Sequence, residues 1–151
     1  MTADLIAVAD AVVAALNGHT FSAPYNAPLG SARYYVPVFN LAALATLKVS
    51  VVPQASNTTL ATRQRLQEVE YRISVGITQA VPDMTPASCD PLSGLVQEVQ
   101  DFLIQTPLVM TAGTLRPSTI ALSNEPIYDP DKLEFESVFQ SVLNVTYKGF
   151  R

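Results

Sequence analysis

The chain has 151 residues, a mass of 16.3 kDa and a formal net charge of −4, which fit one domain over residues 1–151. Charged residues make up only 15% of the chain, against a norm of about 25%. Without a run of Lys or Arg, a DNA-binding protein of the basic-patch kind is excluded. Too few charges are present to cover a small domain, so we expect apolar or neutral-polar surface of the kind that packs against other subunits.

The chain opens with a predicted amphipathic helix over residues 3–17, followed by Gly18 as a helix-ending residue. Acids in this segment argue against a signal peptide, and no apolar run approaches the length of a membrane span, so we expect no membrane association. The next segment, residues 19–32, predicts an extended connection because it holds prolines and small polar residues. The apolar stripe of the helix consists of Leu5, Val8, Ala9, Val12, Val13 and Leu16.

The middle of the chain predicts strands around a polar loop. Residues 33–40 predict a strand at a sheet edge, because Pro37 cannot donate to a ladder. A second strand is expected around residues 47–51. The segment 54–68 is rich in Ser, Asn and Thr and predicts a projecting loop or the flexible tip of a long hairpin.

The longest strand signal is VEYRISVGITQAV, residues 69–81, where apolar and polar residues alternate. At about 3.3 Å per residue this strand would extend roughly 40 Å, well beyond the common strand length. A second long alternation covers residues 135–148 near the C-terminus. Both strands have a polar face that is mostly neutral.

A second amphipathic helix is predicted between these strands. Asp90 is expected as its N-cap with Pro91 at the first helical position, and the helix should run to Thr106. An irregular segment, a short strand from Ile120 to Leu122 and a polar loop over residues 124–134 follow. The apolar stripe of this helix is Leu92, Leu95, Val96, Val99, Phe102 and Leu103.

This element order predicts an α+β fold. The sheet should be mainly antiparallel with long strands, and the two amphipathic helices should pack on one of its faces.

Residues that carry chemistry are scarce, so we predict no enzyme, no catalytic residue, no cofactor and no metal site. His19 and Cys89 are each the only residue of their type, which excludes a His- or Cys-based zinc site. For Cys89, an inert residue is favoured over a reactive thiol. Asp129 and Asp131 could bind a cation, but an acidic solvated loop is favoured. A hydrolase that uses two carboxylates stays open as a minor alternative.

Four segments of the sequence, taken in order, resemble those of one known family. They are VSVVPQ at residues 49–54, the R-x-R of residues 63–65, VEYRISVGI at residues 69–77 and FQSVLNVTYKGF at residues 139–150. In this order, with the Pro-flanked helix, they resemble the tail terminator proteins of long-tailed bacteriophages, which are related to minor tail protein U of lambda-like phages.

The resemblance implies a structural virion protein of the phage neck, assembled in the host cytoplasm. It implies a homohexameric ring that caps the tube of the major tail protein, ends its polymerisation and joins it to the head-side connector or stopper protein. DNA would pass through the lumen without specific binding. The loops over residues 54–66 and 124–134 are the expected partner contacts, through Gln54, Asn57, Arg63, Arg65, Tyr128, Asp129 and Asp131. Alternatives are another neck component, such as a tail completion or head-closure protein, and a non-viral soluble ligand-binding domain.

Overall fold

The computed structural model describes residues 3–63, 65–110, 115–125 and 127–151. Within these ranges it contains five strands, three α-helices and a short 3-10 turn at Ala43–Ala45. In chain order, the helices and strands are α1 (Asp4–Gly18), β1 (Ala32–Arg33), β2 (Lys48–Leu60), β3 (Gln67–Ala80), α2 (Pro86–Gln105), β4 (Ser118–Ser123), α3 (Pro130–Glu136) and β5 (Val138–Phe150).

The strands form one sheet in the order β1-β2-β3-β5-β4. The short β1 pairs with β2 in parallel, and every other pair is antiparallel. The β3–β5 ladder extends from Glu68 opposite Phe150 to Ala80 opposite Val138 without a register shift. The predicted α+β fold with a mainly antiparallel sheet and long strands is therefore confirmed.

The core lies between one sheet face and the helices α1 and α2, as the alternation predicted. The odd-numbered residues of β3 from Val69 to Ile77 point into it and are fully buried or nearly so. Each such side chain stabilises the fold by about 1.5–3 kcal/mol relative to an exposed position. The strands contribute Val49, Val51, Val69, Tyr71, Ile73, Val75, Ile77, Phe139, Leu143, Val145 and Tyr147, and the helices contribute Val8, Val12, Leu16, Leu92, Leu95, Val96, Val99 and Leu103.

The start of α2 differs from the prediction. The helix begins at Pro86 with Thr85 as N-cap, so Asp90 is not the cap and Pro91 lies inside the helix. The Asp83 carboxylate accepts hydrogen bonds from the Thr85 and Ser88 hydroxyls, at 2.5 and 2.7 Å, which lowers the pKa of Asp83. Pro86 already provides a favoured first helical residue, so the helix starts one turn before the second proline.

The predicted edge strand over residues 33–40 is wrong beyond its first residue. Only Ala32 and Arg33 pair with β2, and the Tyr34 N–H donates a last hydrogen bond to the Val51 carbonyl at 2.9 Å. The chain then leaves the sheet, with Pro37 exposed just beyond. It crosses the second sheet face, where Leu44 is buried.

Two predicted loops contain regular structure. β2 continues to Leu60 and pairs with β3 up to that residue, with one register shift between Pro53 and Ala55, so the hairpin tip begins only after Leu60. The neutral side chains of residues 54–60 gave no apolar alternation, but a paired strand needs none where both of its faces meet solvent. The loop over residues 124–134 contains the first part of α3, and Ser137 ends this helix in the left-handed conformation.

The boundaries of the last strands follow from these connections. β5 begins at Val138 instead of residue 135, because α3 occupies the preceding residues. β4 includes the predicted strand near Ile120 and extends beyond it on both sides. In the part of the chain that the structure describes, no helix is both long and apolar enough to cross a membrane.

Candidate assembly surface

Of the seven residues predicted to contact partners, six lie towards opposite ends of the sheet, and Gln54 lies midway along β2. Gln54 and Asn57 are exposed on β2, and Arg63 and Arg65 are exposed in the hairpin tip beyond it. Tyr128, Asp129 and Asp131 lie beside α3, which precedes β5 at the far end. β3 connects the two ends, about 40 Å apart at roughly 3.3 Å per residue. The structure therefore places the residues in two separate groups.

The hairpin tip has a defined backbone conformation. The Ala61 N–H donates to the Leu66 carbonyl at 2.8 Å, and the Arg65 N–H donates to the Thr62 carbonyl at 3.2 Å. Arg65 has a φ of 67°, which turns the chain back into β3. Leu60 is 66% exposed at the base of the tip. The tip thus presents basic and apolar side chains together.

The acidic group is organised around the start of α3. The Asp129 carboxylate caps this helix by accepting hydrogen bonds from the Asp131 and Lys132 N–H groups, at 3.1 and 3.3 Å. The Tyr128 ring stacks on Phe139 with 6.2 Å between ring centroids. Within the described ranges, no three His, Cys, Asp or Glu side chains gather into a metal-binding group. Asp129 therefore has a structural role as a helix cap.

The sheet has open strand edges on both sides. β1 pairs with β2 only at Ser50 and Val51, and among the described residues no strand pairs with the outer edge of β2 from Val52 to Leu60. On the opposite side, β4 is the last strand and pairs only with β5. Neither edge segment, VPQASNTTL or STIALS, contains a charged residue. Each edge is interrupted once, by Pro53 and a register shift before Ala55 in β2 and by a register shift between Thr119 and Ala121 in β4. Interruptions of this kind and charged side chains both protect edges of monomeric proteins, and here only the interruptions are present.

The second sheet face is only partly covered. Near α3, a groove of about 480 Å³ separates the crossing segment from the helix. Leu41 and Phe135 line it and are 64% and 78% exposed. Sequence reasoning missed this exposed apolar surface because the crossing segment was assigned to a strand. The sequence predicted the centre of β4 as a short strand, but its edge position follows only from the strand order.

Two ion pairs lie at the end of the sheet that carries the hairpin tip. Lys148 of β5 forms an ion pair with Glu68 of β3, and this hydrogen bond raises the pKa of Lys148. Arg151 forms a second ion pair with Asp4 of α1 at 2.5 Å. Neither ion pair involves the two uncharged edge segments.

His19 and Cys89, the residues with potential for metal or nucleophilic chemistry, pack against neighbouring parts of the fold. His19 stacks on Phe102 with ring centroids 4.3 Å apart and meets the edge of Phe21 at 4.6 Å. Cys89 is half-buried in the first turns of α2, and burial, together with Asp83 and Asp90, raises the pKa of its thiol. A raised pKa reduces the thiolate fraction, which agrees with the interpretation of Cys89 as inert.

No protein-family model and no curated protein matches the chain. Among solved structures, it is similar to a chain of the virion of a native gene transfer agent (GTA) particle. The TM-score is 0.47 and the sequence identity is 16%, over 95% of this chain and 88% of that chain. Likeness at this level carries no weight for the function of the chain.

Proposed function

We propose that the chain is a structural virion protein of a phage-like particle, in the tail terminator role. Copies of it would form a homohexameric ring that caps the tail tube, ends its polymerisation and joins it to the head-side connector. The proposal unites the sequence resemblance with one structural observation. That observation is the pair of open, uncharged strand edges on the two sides of a single sheet.

Open edges on opposite sides suit a closed ring. A heterologous contact uses two different surfaces of each copy, so every copy can contact one neighbour on each side until the ring closes. The β2 edge and the β4 edge are two such surfaces, and both offer unpaired main-chain groups. Because α1 and α2 pack on one face of the sheet, they leave these edges accessible.

The two ends of the sheet would then contact different proteins. The hairpin tip carries Arg63 and Arg65, whereas the α3 end carries Asp129, Asp131 and Glu134. Opposite charge at the two ends favours different partners and a fixed orientation of the ring. The net charge of −4 also suits a lumen that conducts DNA without retaining its phosphates.

Light scattering and negative-stain imaging of the purified protein, with and without tail tubes, test the proposal. We expect rings in solution or on one end of each tube. We also expect that adding the protein to polymerising tube subunits stops growth. A protein that stays monomeric at high concentration and leaves tubes uncapped would overturn the proposal, as would capture of a small molecule inside a monomer.

A hairpin variant sharpens this test. Replacing residues 61–66 with Asn-Gly, the preferred turn of a two-residue hairpin, removes the tip but keeps the ladder from Leu60 to Gln67. We expect a folded protein with unchanged circular dichroism that no longer joins tubes. The matched control replaces only Thr62 with Ser, which keeps both arginines and should cap tubes normally.

A further inference from the structure

The open edges of β2 and β4 lie at the same height along the strand direction. The ladders align Ser118 of β4 with Lys148 of β5, which faces Glu70 of β3. Glu70 in turn faces Asn57 of β2. One end of β4 is therefore level with Asn57, which lies in the open part of the β2 edge.

The other end of β4 is level with the start of that open edge. Ser123 faces Asn144 of β5, and Asn144 faces Ser74 of β3. Ser74 faces Val52 of β2, the first residue beyond the part that β1 covers. β4 is thus level with residues 52–57 of β2, within the part of the edge that no described strand pairs.

The strand directions also agree. β2 runs towards the hairpin tip, whereas β4 runs away from it, because each is antiparallel to its neighbour in the central pair β3–β5. If the ring axis is close to the strand direction, rotation around it leaves the hairpin tip of every copy at the same end of the ring. The β4 edge of one copy would therefore meet the β2 edge of the next as an antiparallel pair.

The side chains at this contact are compatible. Asn57 and Ser118 both lie on the second sheet face, so they would stand side by side as neutral hydrogen-bonding groups. Pro53 has no N–H to donate, and the β2 ladder shifts register between Pro53 and Ala55, so main-chain pairing would use β2 from Ala55 onward. No charge on either segment opposes the approach.

We propose that β4 of one copy adds to the outer edge of β2 in the next copy, antiparallel, with Ser118 beside Asn57. This inference rests on the proposed ring and identifies the surface that forms it. Main-chain hydrogen bonds would supply the attraction, as in other cases where a strand is added to an open edge. Because the contact joins two different edges, it can repeat from copy to copy.

Disulfide cross-linking tests the pairing. The variant N57C/S118C, in a C89S background, places two thiols on directly opposite residues, and such positions are within reach of a disulfide. After oxidation of the assembled protein, we expect a ladder of covalent oligomers on a non-reducing gel, ending in a closed species. The matched control is S56C/S118C, because residue 56 points to the other face and should give far less cross-linking.

The outcomes separate the pairing from the ring function. Oligomers that do not cross-link at residue 57, nor at 55 or 59 two positions along the strand, would overturn the edge pairing and leave the ring intact. A cross-linked ring that never binds tail tubes would support the pairing but contradict the proposed function. A protein that remains monomeric with and without tubes would overturn both.

Discussion

Tyr147 offers a test of how tightly the sheet and helices pack. This residue of β5 is 1% exposed, and its burial raises the pKa of its hydroxyl from 10.0 to about 12, against a smaller lowering effect of Thr119. The folded state therefore keeps the proton at a pH where the unfolded chain releases it. Stability from this group is complete below pH 10 and is lost as the pH rises towards the folded-state pKa.

The size of the effect follows from the two pKa values. A shift of two units corresponds to about 2.7 kcal/mol, reached only above the folded-state pKa. Near pH 11 about half of this, roughly 1.4 kcal/mol, should be lost relative to neutral pH. Tyr71 and Tyr25 also have pKa values raised by burial, so the wild-type protein should lose more than this amount in total.

Urea unfolding of the wild-type protein and of Tyr147→Phe, at neutral pH and near pH 11, isolates the contribution of this residue. We expect the two proteins to differ by less than about 1.5 kcal/mol at neutral pH. Near pH 11 the variant should gain about 1.4 kcal/mol over the wild type. The control Tyr35→Phe, at a side chain 69% exposed, should show no such gain. An equal pH dependence for all three proteins would refute the burial argument.

Two further predictions concern single positions. Ile73→Ala, at a fully buried residue of the central strand, should destabilise the protein by about 2–5 kcal/mol in urea unfolding. By contrast, Val36→Ala at a side chain 75% exposed should change stability by no more than about 0.5 kcal/mol; equal losses would contradict the assigned core. Asp129→Ala removes the cap of α3 and should cost about 0.5–2 kcal/mol, seen as faster hydrogen exchange in that helix, whereas Asp129→Asn should retain most of the protection.

The sequence was sufficient to predict the elements that bury a regular stripe. The alternation of residues 69–81 and the helical spacing from Leu5 to Leu16 both report which face meets the core. These patterns exist because the residues that face the core repeat with the period of the helix or of the strand. β3 and α1 were therefore placed to within two residues of their observed ends.

Elements without a buried stripe were not predictable in this way. The outer half of β2 has neutral polar side chains on both faces, so only its pairing with β3 makes it a strand. The start of α2 depended on a choice between two prolines, which the hydrogen bonds of Asp83 decide in favour of Pro86. Pairing and capping bonds of this kind leave no periodic signal.

The candidate surface was predicted only in part. Asn57 is exposed but lies in a paired strand, Asp129 is half-buried as a helix cap, and the two residues lie towards opposite ends of the sheet. The open edges became visible only with the strand order, because a sequence does not state which strand lies last. The short β4, which is proposed to pair with β2 of the next copy, has no exceptional sequence feature.

The positions of the few charges in the sheet matter more for contact between copies than their number does. Charges on an outer edge oppose pairing with other chains, and so do prolines and bulges. Here Glu68, Glu70, Arg72 and Lys148 lie on the central strands β3 and β5 instead, and β2 beyond Val52 and β4 carry none. Charge on the inner strands keeps the exposed face hydrated without blocking the edges. Pro53 and the two register shifts interrupt the edges near Gln54 and Ile120, so contact between copies would use the regular parts that remain. Because these parts carry no charge, they are the places where a second copy can approach.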